Sequence, residues 1–450
     1  MPAVIRTPID NSGRLQFADD LFARRHRGLG SPIANQWIWR LESPYDPDRL
    51  RHIATGLAGG GLSRRLHRAK LPGARDLWTN ADREPSIELY DDTLPAAEIA
   101  DWLQERHGDH LDPHEGLTYR LTAINLDDGT SVVSLLLAHA VGDGGSVLDA
   151  VCRASRGEPL RLPPVPASGW DRLRAEAADS RAQWRAVRDW ATARRRAKQD
   201  GTAARATKAP RVYPRTTPNP DPHAWRMPRM IAEFDTETMT KVAAEHGGST
   251  NAWFINVVAD LLVRIDHVPV DRGDVPVSLP MSDFQPGDVR ANSTRVAMVE
   301  VPRDVLDRRD LAEIKRLSKA AYIRLGQAGP GLVPVPLAMM QMLPDAVLDK
   351  LPQPPAAACM ASNLPQLPDE YRYAMGEDVR LVAGLAGYQN ATAQDAYDVG
   401  GGIISWLIQS GPRTTLNLVA AEPDRVPDLA FLKSLVVEEL GSWGLTVEVW

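Results

Sequence analysis

The sequence predicts an α/β protein of two lobes, each with a sheet flanked by helices. At 450 residues the chain exceeds the length that one hydrophobic core usually serves. Strand-like apolar runs alternate with helix-like segments in its first part, which is typical of α/β architecture. A basic and proline-rich stretch, residues 166–228, then separates a first lobe (1–165) from a second lobe (229–450).

The first lobe contains several elements that the sequence defines well. Residues 33–41 are predicted to form a strand that enters the core, and residues 46–58 a helix with Pro47 in its first turn. Residues 117–126 and 131–139 are predicted to form a hairpin, because an Asp-Asp-Gly turn joins two apolar runs. This hairpin places His139 at the end of a strand.

The linker and the second lobe continue the same mixture of elements. A polar, basic helix is predicted over residues 171–198, and the proline-rich segment after it is expected to be extended. The second lobe is predicted to contain helices at 251–265 and 427–440, strands at 275–279 and 294–301, and a proline-rich loop at 352–368 before a β-rich C-terminal region.

Composition excludes several classes of protein. A hydrophobic fraction of 43% with 24% charged residues is that of an ordinary globular protein, and a net charge of −6 argues against nucleic-acid binding. Two distant cysteines give neither a disulfide framework nor a cysteine metal site. No stretch approaches the roughly 20 apolar residues of a membrane span, and the N-terminal residues lack a secretory signal. We therefore expect a cytoplasmic protein without a transmembrane segment.

The segment around His139 carries the clearest chemical signal. His139 follows an apolar run, residues 132–138, and Asp143 and Gly144 come four and five residues later. The run shows little alternation, which predicts a strand buried on both faces. The glycines then permit a sharp turn into a helix that Ser146 is expected to cap. An imidazole at a strand tip, with an ordinary pKa of about 6.5, is suited to general-base catalysis. The alternative is a core histidine with Asp143 as a turn residue.

This segment resembles the HHxxxDG motif of the condensation-domain superfamily, with Ala138 in place of the first histidine. That superfamily includes nonribosomal-peptide condensation domains, bacterial wax ester synthase/diacylglycerol acyltransferases, polyketide-associated acyltransferases and chloramphenicol acetyltransferase. Within the superfamily, the chain is most similar to the wax ester synthase group and to the polyketide-associated acyltransferases, and other segments resemble the wax ester synthase group. They are a helix start at residues 249–251, a Gly-Asn position at Asn292, an "SNvpG" loop at residues 362–365 and a closing helix at residues 424–432.

The resemblance implies a chloramphenicol acetyltransferase-like fold with an active-site channel between the lobes. It implies transfer of an acyl group from a coenzyme A or carrier-protein thioester to a small-molecule alcohol or amine, in small-molecule biosynthesis. His139 would be the general base in the HxxxDG motif that Asp143 and Gly144 complete. Asp143 would be structural, and its arginine partner is expected to be Arg290 or Arg295.

The resemblance also suggests how the reaction's negative charge is stabilised. Ser362 and Asn363 are candidates for donating hydrogen bonds to the oxyanion of the tetrahedral intermediate. Alternatively, they form a tight turn that hydrogen bonds its own backbone. No tightly bound cofactor is expected, because the acyl-coenzyme A or acyl-phosphopantetheine thioester is a co-substrate.

Two charged clusters have competing interpretations. Arg194, Arg195 and Arg196 in the basic helix could attract an anionic donor, either coenzyme A phosphates or a carrier protein, or the helix is a solvated linker. The histidines and acids of residues 107–115 match no zinc spacing, so we interpret them as a solvated loop and expect no metal. Two rival functions stay open: a peptide-forming condensation enzyme, and a non-catalytic binding protein that keeps the fold.

Overall fold

The structure is a computed structural model that describes residues 10–199, 225–268, 273–327, 335–350 and 358–450. Most of the proline-rich segment at 210–228 and part of the loop at 352–368 lie outside the described residues. The strands are β1 (Ile33–Leu41), β2 (Arg64–His67), β3 (Leu77–Asn80), β4 (Ile87–Leu94), β5 (Tyr119–Leu126), β6 (Ser131–Ala138), β7 (Arg229–Asp235), β8 (Asp274–Ser282), β9 (Thr294–Pro302), β10 (Cys359–Leu364), β11 (Val379–Tyr388), β12 (Ile403–Ser410), β13 (Arg413–Ala420) and β14 (Glu448–Val449).

Helices flank these strands in both lobes. They are α1 (Phe17–Arg25), α2 (Pro47–Ala58), α3 (Ile99–His107), α4 (Gly144–Arg156), α5 (Gly169–Gln199), α6 (Thr236–Glu245), α7 (Thr250–Arg264), α8 (Arg303–Asp307), α9 (Leu311–Gln327), α10 (Leu337–Met342), α11 (Asp345–Leu348), α12 (Asp369–Arg372), α13 (Ala393–Asp398) and α14 (Leu429–Ser442). Short 3₁₀ turns cover Ala96–Glu98 and His139–Val141.

The first lobe is built on a five-stranded sheet in the order β11-β1-β6-β5-β4. Its strands pair antiparallel, except that β4 runs parallel to β5. Every residue of β6 is buried, which confirms the strand predicted from the apolar run before His139. β11 comes late in the chain yet pairs with β1 over its whole length, so the second part of the chain supplies an edge strand to the first sheet.

The second lobe is built on a seven-stranded sheet in the order β14-β7-β13-β12-β10-β8-β9. Helix α7 packs against it and is buried along most of its length, as its nearly continuous apolar sequence requires. Ser249 caps α7 by accepting a hydrogen bond from Ala252 N. The two-lobed α/β architecture predicted from the sequence is therefore confirmed.

The long basic helix α5 is anchored at its beginning. Glu176 accepts hydrogen bonds from the backbone N–H groups of Lys70 and Leu71, each at 2.9 Å, and Asp179 pairs with Arg75 at 2.7 Å. Its first half is thus docked on the first lobe, whereas the prediction considered a solvated linker. No helix among the described residues is long and apolar enough to cross a membrane.

Candidate functional site

A cavity of about 370 Å³ lies between the two sheets. Its walls come from both lobes: β1, β11 and the turn after β6 on one side, and β8, β9, β10 and β12 on the other. Apolar and aromatic side chains dominate the lining, among them Phe22, Trp37, Leu364, Tyr388 and Trp406. Polar groups are few, and they converge where His139 enters the cavity. A concave apolar site with a few directed polar groups is the usual form of a small-molecule site.

His139 is held at the cavity wall by the turn that follows β6. Its own backbone carbonyl accepts a hydrogen bond from Gly142 N, and Asn35 on β1 donates to the Gly142 carbonyl at 2.7 Å. Phe22 of α1 stacks on the imidazole with ring centroids 4.0 Å apart and an angle of 20° between the planes. Burial lowers the pKa of His139 below its usual 6.5, against the opposing effects of a hydrogen bond to its own backbone, of the Asp143 charge and of Asn292. The ring is therefore neutral near pH 7 and able to accept a proton.

The hydrogen bond at Nδ1 determines which ring nitrogen is free. Nδ1 of His139 lies 3.1 Å from Oδ1 of Asn292, an oxygen that can only accept. Nδ1 therefore carries the proton and Nε2 keeps its lone pair. Within the described part of the chain, Nε2 has no protein hydrogen-bond partner, so it is the nitrogen left for a ligand in the cavity.

Asp143 joins the two lobes behind His139. One carboxylate oxygen caps α4 by accepting from Ser146 N at 3.1 Å. The other accepts from Ser293 N at 2.7 Å and from the Thr294 hydroxyl at 2.8 Å, both in the second lobe. The expectation that Ser146 caps the helix was wrong: Asp143 is the cap, and Ser146 hydrogen bonds to the Ala291 carbonyl at 2.9 Å.

The arginine partners expected for Asp143 bind elsewhere. Arg290 forms its ion pair with Asp288, at 2.5 Å, and Arg295 donates to the Leu325 carbonyl at 2.6 Å. Backbone and hydroxyl donors take the place of an arginine, because the segment after Ala291 runs directly past Asp143. Two cations interact with Asp143 electrostatically without forming an ion pair with it: Arg290 itself, and Arg64, a buried residue of β2.

Ser362 and Asn363 lie on opposite faces of β10. Ser362 lines the cavity together with its alternate neighbours Met360 and Leu364. Asn363 points the other way and donates from Nδ2 to Oδ1 of Asn251, at 3.1 Å, in the first turn of α7. Successive side chains of a strand face opposite sides, so only Ser362 is positioned to donate into the cavity. Asn363 instead ties β10 to α7.

Gly144 begins α4 at the edge of the cavity. A Cβ at this position would meet only Leu364, at 4.0 Å, whereas one at Gly145 would lie 2.5 Å from the Ser282 hydroxyl oxygen. Gly145 therefore allows the second lobe to approach α4 closely. The first N–H groups of a helix have no intrahelical acceptor and carry partial positive charge, so the N–H of Gly144 is available to an anionic oxygen.

The remaining candidate residues lie away from the cavity. Arg194 is half-buried with its guanidinium over the Trp190 ring, Arg195 and Arg196 are exposed, and none of the three lines the cavity. His107 is buried at the end of α3, with Nε2 3.3 Å from the Ala34 carbonyl, so it does not belong to a solvated loop as predicted. Among the described residues, no cluster of His, Cys, Asp and Glu is arranged to hold a metal ion.

Several residues of the site carried no signal in the sequence. Phe22 and Asp19 belong to α1, a helix that the hydrophobic pattern did not predict, and they reach the site from more than 100 residues away. Trp37 and Trp406 are strand residues whose apolar character predicts burial but not a ligand cavity. The only local signal in α1 is its capping box, formed by Gln16 and Asp19, and that pattern marks a helix start rather than a site.

Comparison with known structures defines the fold. The first condensation domain of the CDA synthetase is 15% identical, with a TM-score of 0.56, over 96% of this chain and 97% of that one. The condensation domain of the monacolin K polyketide synthase MokA is 13% identical, with a TM-score of 0.54, over 97% and 98%. The wax ester synthase/diacylglycerol acyltransferase from Marinobacter aquaeolei VT8 is 14% identical, with a TM-score of 0.53, over 96% and 100%.

The chain therefore has the two-lobed fold of condensation domains and of chloramphenicol acetyltransferase-like enzymes. The similarity extends over nearly the whole chain in each case, which confirms at the level of fold the resemblance identified from the HxxxDG segment. No protein-family model and no curated protein sequence matches the chain.

Proposed function

We propose that the protein is an acyltransferase that moves an acyl group from a thioester to an alcohol or amine, with His139 as the general base. The observation that carries this proposal is the neutral imidazole whose unprotonated Nε2 is free at the wall of an apolar cavity between the lobes. The fold agrees, because structures with the same architecture include condensation domains and a wax ester synthase/diacylglycerol acyltransferase.

The reaction follows from this arrangement. Nε2 of His139 removes the proton from the acceptor's hydroxyl or amine as its oxygen or nitrogen attacks the thioester carbonyl carbon. A tetrahedral intermediate forms and then collapses with cleavage of the carbon–sulfur bond. The proton held on Nε2 passes to the departing thiolate, which leaves as a thiol. The products are an ester or amide and the free thiol, with no covalent enzyme intermediate.

The intermediate's oxyanion needs hydrogen-bond donors within the cavity. The Ser362 hydroxyl and the N–H of Gly144 supply one from each lobe in this proposal, and each such donor is typically worth about 10²–10³-fold in rate. Asp143 does not take part in proton transfer, because its oxygens are occupied by donors from both lobes. Its role is to hold the turn that carries His139.

The donor is either acyl-coenzyme A or an acyl group on a carrier protein. The condensation domain of a polyketide synthase and a nonribosomal peptide synthetase are among the structural neighbours, which supports the carrier-protein alternative. Among the described residues, neither lysine nor arginine lines the cavity, so phosphate groups of either donor would lie outside it. We propose that the protein acts in small-molecule biosynthesis in the cytoplasm.

The test is thiol release from a panel of acyl-coenzyme A and acyl-phosphopantetheinyl carrier thioesters, each offered with mixed alcohol and amine acceptors. Release that depends on the acceptor supports an acyltransferase and identifies its donor, and an amide product alone would favour the peptide-forming alternative. Binding of a ligand without release from any donor would favour the non-catalytic binding protein and contradict the proposal.

Charge reversal in α5 tests whether the basic helix recruits the donor. Replacing Arg194, Arg195 and Arg196 by Glu is expected to raise the donor's KM roughly tenfold at low ionic strength, with kcat unchanged, and the effect should fade as salt screens the charges. The triple variant Arg308→Glu/Arg316→Glu/Arg324→Glu makes the same change in net charge at exposed positions of the second lobe. Equal KM values in the two triple variants would contradict recruitment of the donor by α5. The three arginines would then be ordinary solvated residues on the helix surface.

A further inference from the structure

We propose that Asp19 and Asn292 are positioning residues that fix the tautomer of His139 and strengthen it as a base. Asn292 links the two side chains: its Oδ1 faces Nδ1 of His139 at 3.1 Å, and its Nδ2 faces Oδ1 of Asp19 at 2.9 Å. These hydrogen bonds form a relay from Asp19 through Asn292 to His139. The consequence of this relay for catalysis rests on the proposed function. The tautomer itself does not, because it can be observed without turnover.

The orientation of the Asn292 amide is determined by its surroundings. Nδ2 donates to the Asp19 carboxylate and to the His139 backbone carbonyl at 3.0 Å, two groups that can only accept. The backbone N–H of Asn292 donates to the same Asp19 oxygen at 2.9 Å. Turning the amide over would place its oxygen against both acceptors. The oxygen must therefore face His139, and His139 must carry its proton on Nδ1.

Asp19 is itself held in place by the first turn of α1. Its second oxygen accepts from Gln16 N at 3.0 Å, and the side chain is almost fully buried. Burial raises the pKa of Asp19 to about 6, although the hydrogen bonds from Asn292 and the charge of Arg64 favour the carboxylate. The same helix carries Phe22, which stacks on His139. Helix α1 thus contacts the imidazole directly, through the Phe22 ring stacked on it. It also acts indirectly, because Asp19 binds the Asn292 side chain that faces Nδ1.

The relay acts when the imidazole takes up a proton. The positive charge that forms on His139 is then stabilised by a carboxylate one amide away, as well as by Asp143 behind the turn. Arg64 is the cation that faces Asp19 and opposes this effect. Because the pKa of Asp19 is about 6, its anion is present above that pH and lost below it. The rate should therefore fall as pH decreases through about 6, with a further loss when His139 itself is protonated.

The first experiment observes the tautomer directly. In protein labelled with ¹⁵N-histidine at pH 7.5, long-range ¹H–¹⁵N correlations should show His139 with a protonated Nδ1 and an unprotonated Nε2. The Asn292→Ala variant should weaken this preference, with only the hydrogen bond of the imidazole to its own backbone left to favour it. A wild-type His139 protonated on Nε2 would overturn the proposal, whether or not the protein proves to be an acyltransferase.

The second experiment compares two neighbouring aspartates. Asp19→Asn removes the charge of the relay, whereas Asp20→Asn makes the same substitution in the same helix, at a buried residue that pairs with Arg24 at 2.7 Å. We expect Asp19→Asn to lower kcat by roughly 10–100-fold, the loss that is typical when the hydrogen-bonded partner of a metal-bound histidine is removed, with the KM little changed. The pH step near 6 should also disappear.

Asp20→Asn should keep both the rate and the pH profile. Equal losses in the two variants, or an unchanged pH profile in Asp19→Asn, would show that Asp19 only stabilises the fold. If the wild type transfers no acyl group at all, the proposed function fails, and the tautomer measurement alone then decides whether the relay exists.

Discussion

His139→Ala is expected to abolish most acceptor-dependent thiol release, lowering kcat/KM by about 10²–10⁴-fold. The substitution removes Nε2 of His139 from the cavity wall, and with it the acceptor for the nucleophile's proton. The KM of the donor should change little, because the apolar walls remain. The measurement is the steady-state rate of thiol release with the best donor and acceptor found in the panel.

A suitable control is His110→Ala, which removes an exposed histidine of the first lobe. The two variants should have similar thermal stability, apart from the loss of the Phe22 ring contact in His139→Ala, which is worth roughly 0.5–1.5 kcal/mol. Release that persists in His139→Ala at more than a tenth of the wild-type rate would remove His139 as the base. A folded variant with unchanged ligand affinity and no turnover to lose would instead indicate a binding protein.

The sequence alone was sufficient to place His139 at the end of a buried strand. The apolar run and the glycines that predict this position lie within a few consecutive residues. An unbroken apolar run requires a strand buried on both faces, and the glycines after Asp143 require a turn. The structure shows both, with His139 at the end of β6 and Gly144 at the start of α4. The overall two-lobed architecture could also be predicted, because it follows from the chain length and from the alternation of strand-like and helix-like segments.

The supporting residues could not be predicted because their partners are distant in the chain. Asp19 contacts Asn292 across 273 positions, and Trp37 of β1 lies beside Gly384 only because β11 returns to the first sheet. No local pattern encodes either pairing. The alternation along β10 explains the remaining difference: consecutive residues cannot both face the cavity, so Ser362 lines it and Asn363 contacts α7.

The contacts of Asp143 show how a resemblance can identify a residue and still mislead about its partner. The motif led to an expected ion pair with Arg290 or Arg295, yet the carboxylate is held by the Ser146 and Ser293 N–H groups and by the Thr294 hydroxyl. All three donors are uncharged groups, and they come from both lobes. The consequence is that Asp143 is both a helix cap and a clamp between lobes, and the two roles can be separated by experiment.

Asp143→Ala is expected to lower the free energy of unfolding by roughly 3–5 kcal/mol, since it removes a helix cap and leaves buried donors of the second lobe unsatisfied. The control is Asp428→Ala, which removes the cap of α14 at an exposed position where Asp428 accepts, within the described part of the chain, from Phe431 N alone, at 2.8 Å. That loss should be about 1 kcal/mol. The measurement is the midpoint of the first urea transition, with the slope compared between variants. Equal losses in the two variants would mean that Asp143 is only a cap, and that the contacts of Ser293 and Thr294 do not hold the lobes together.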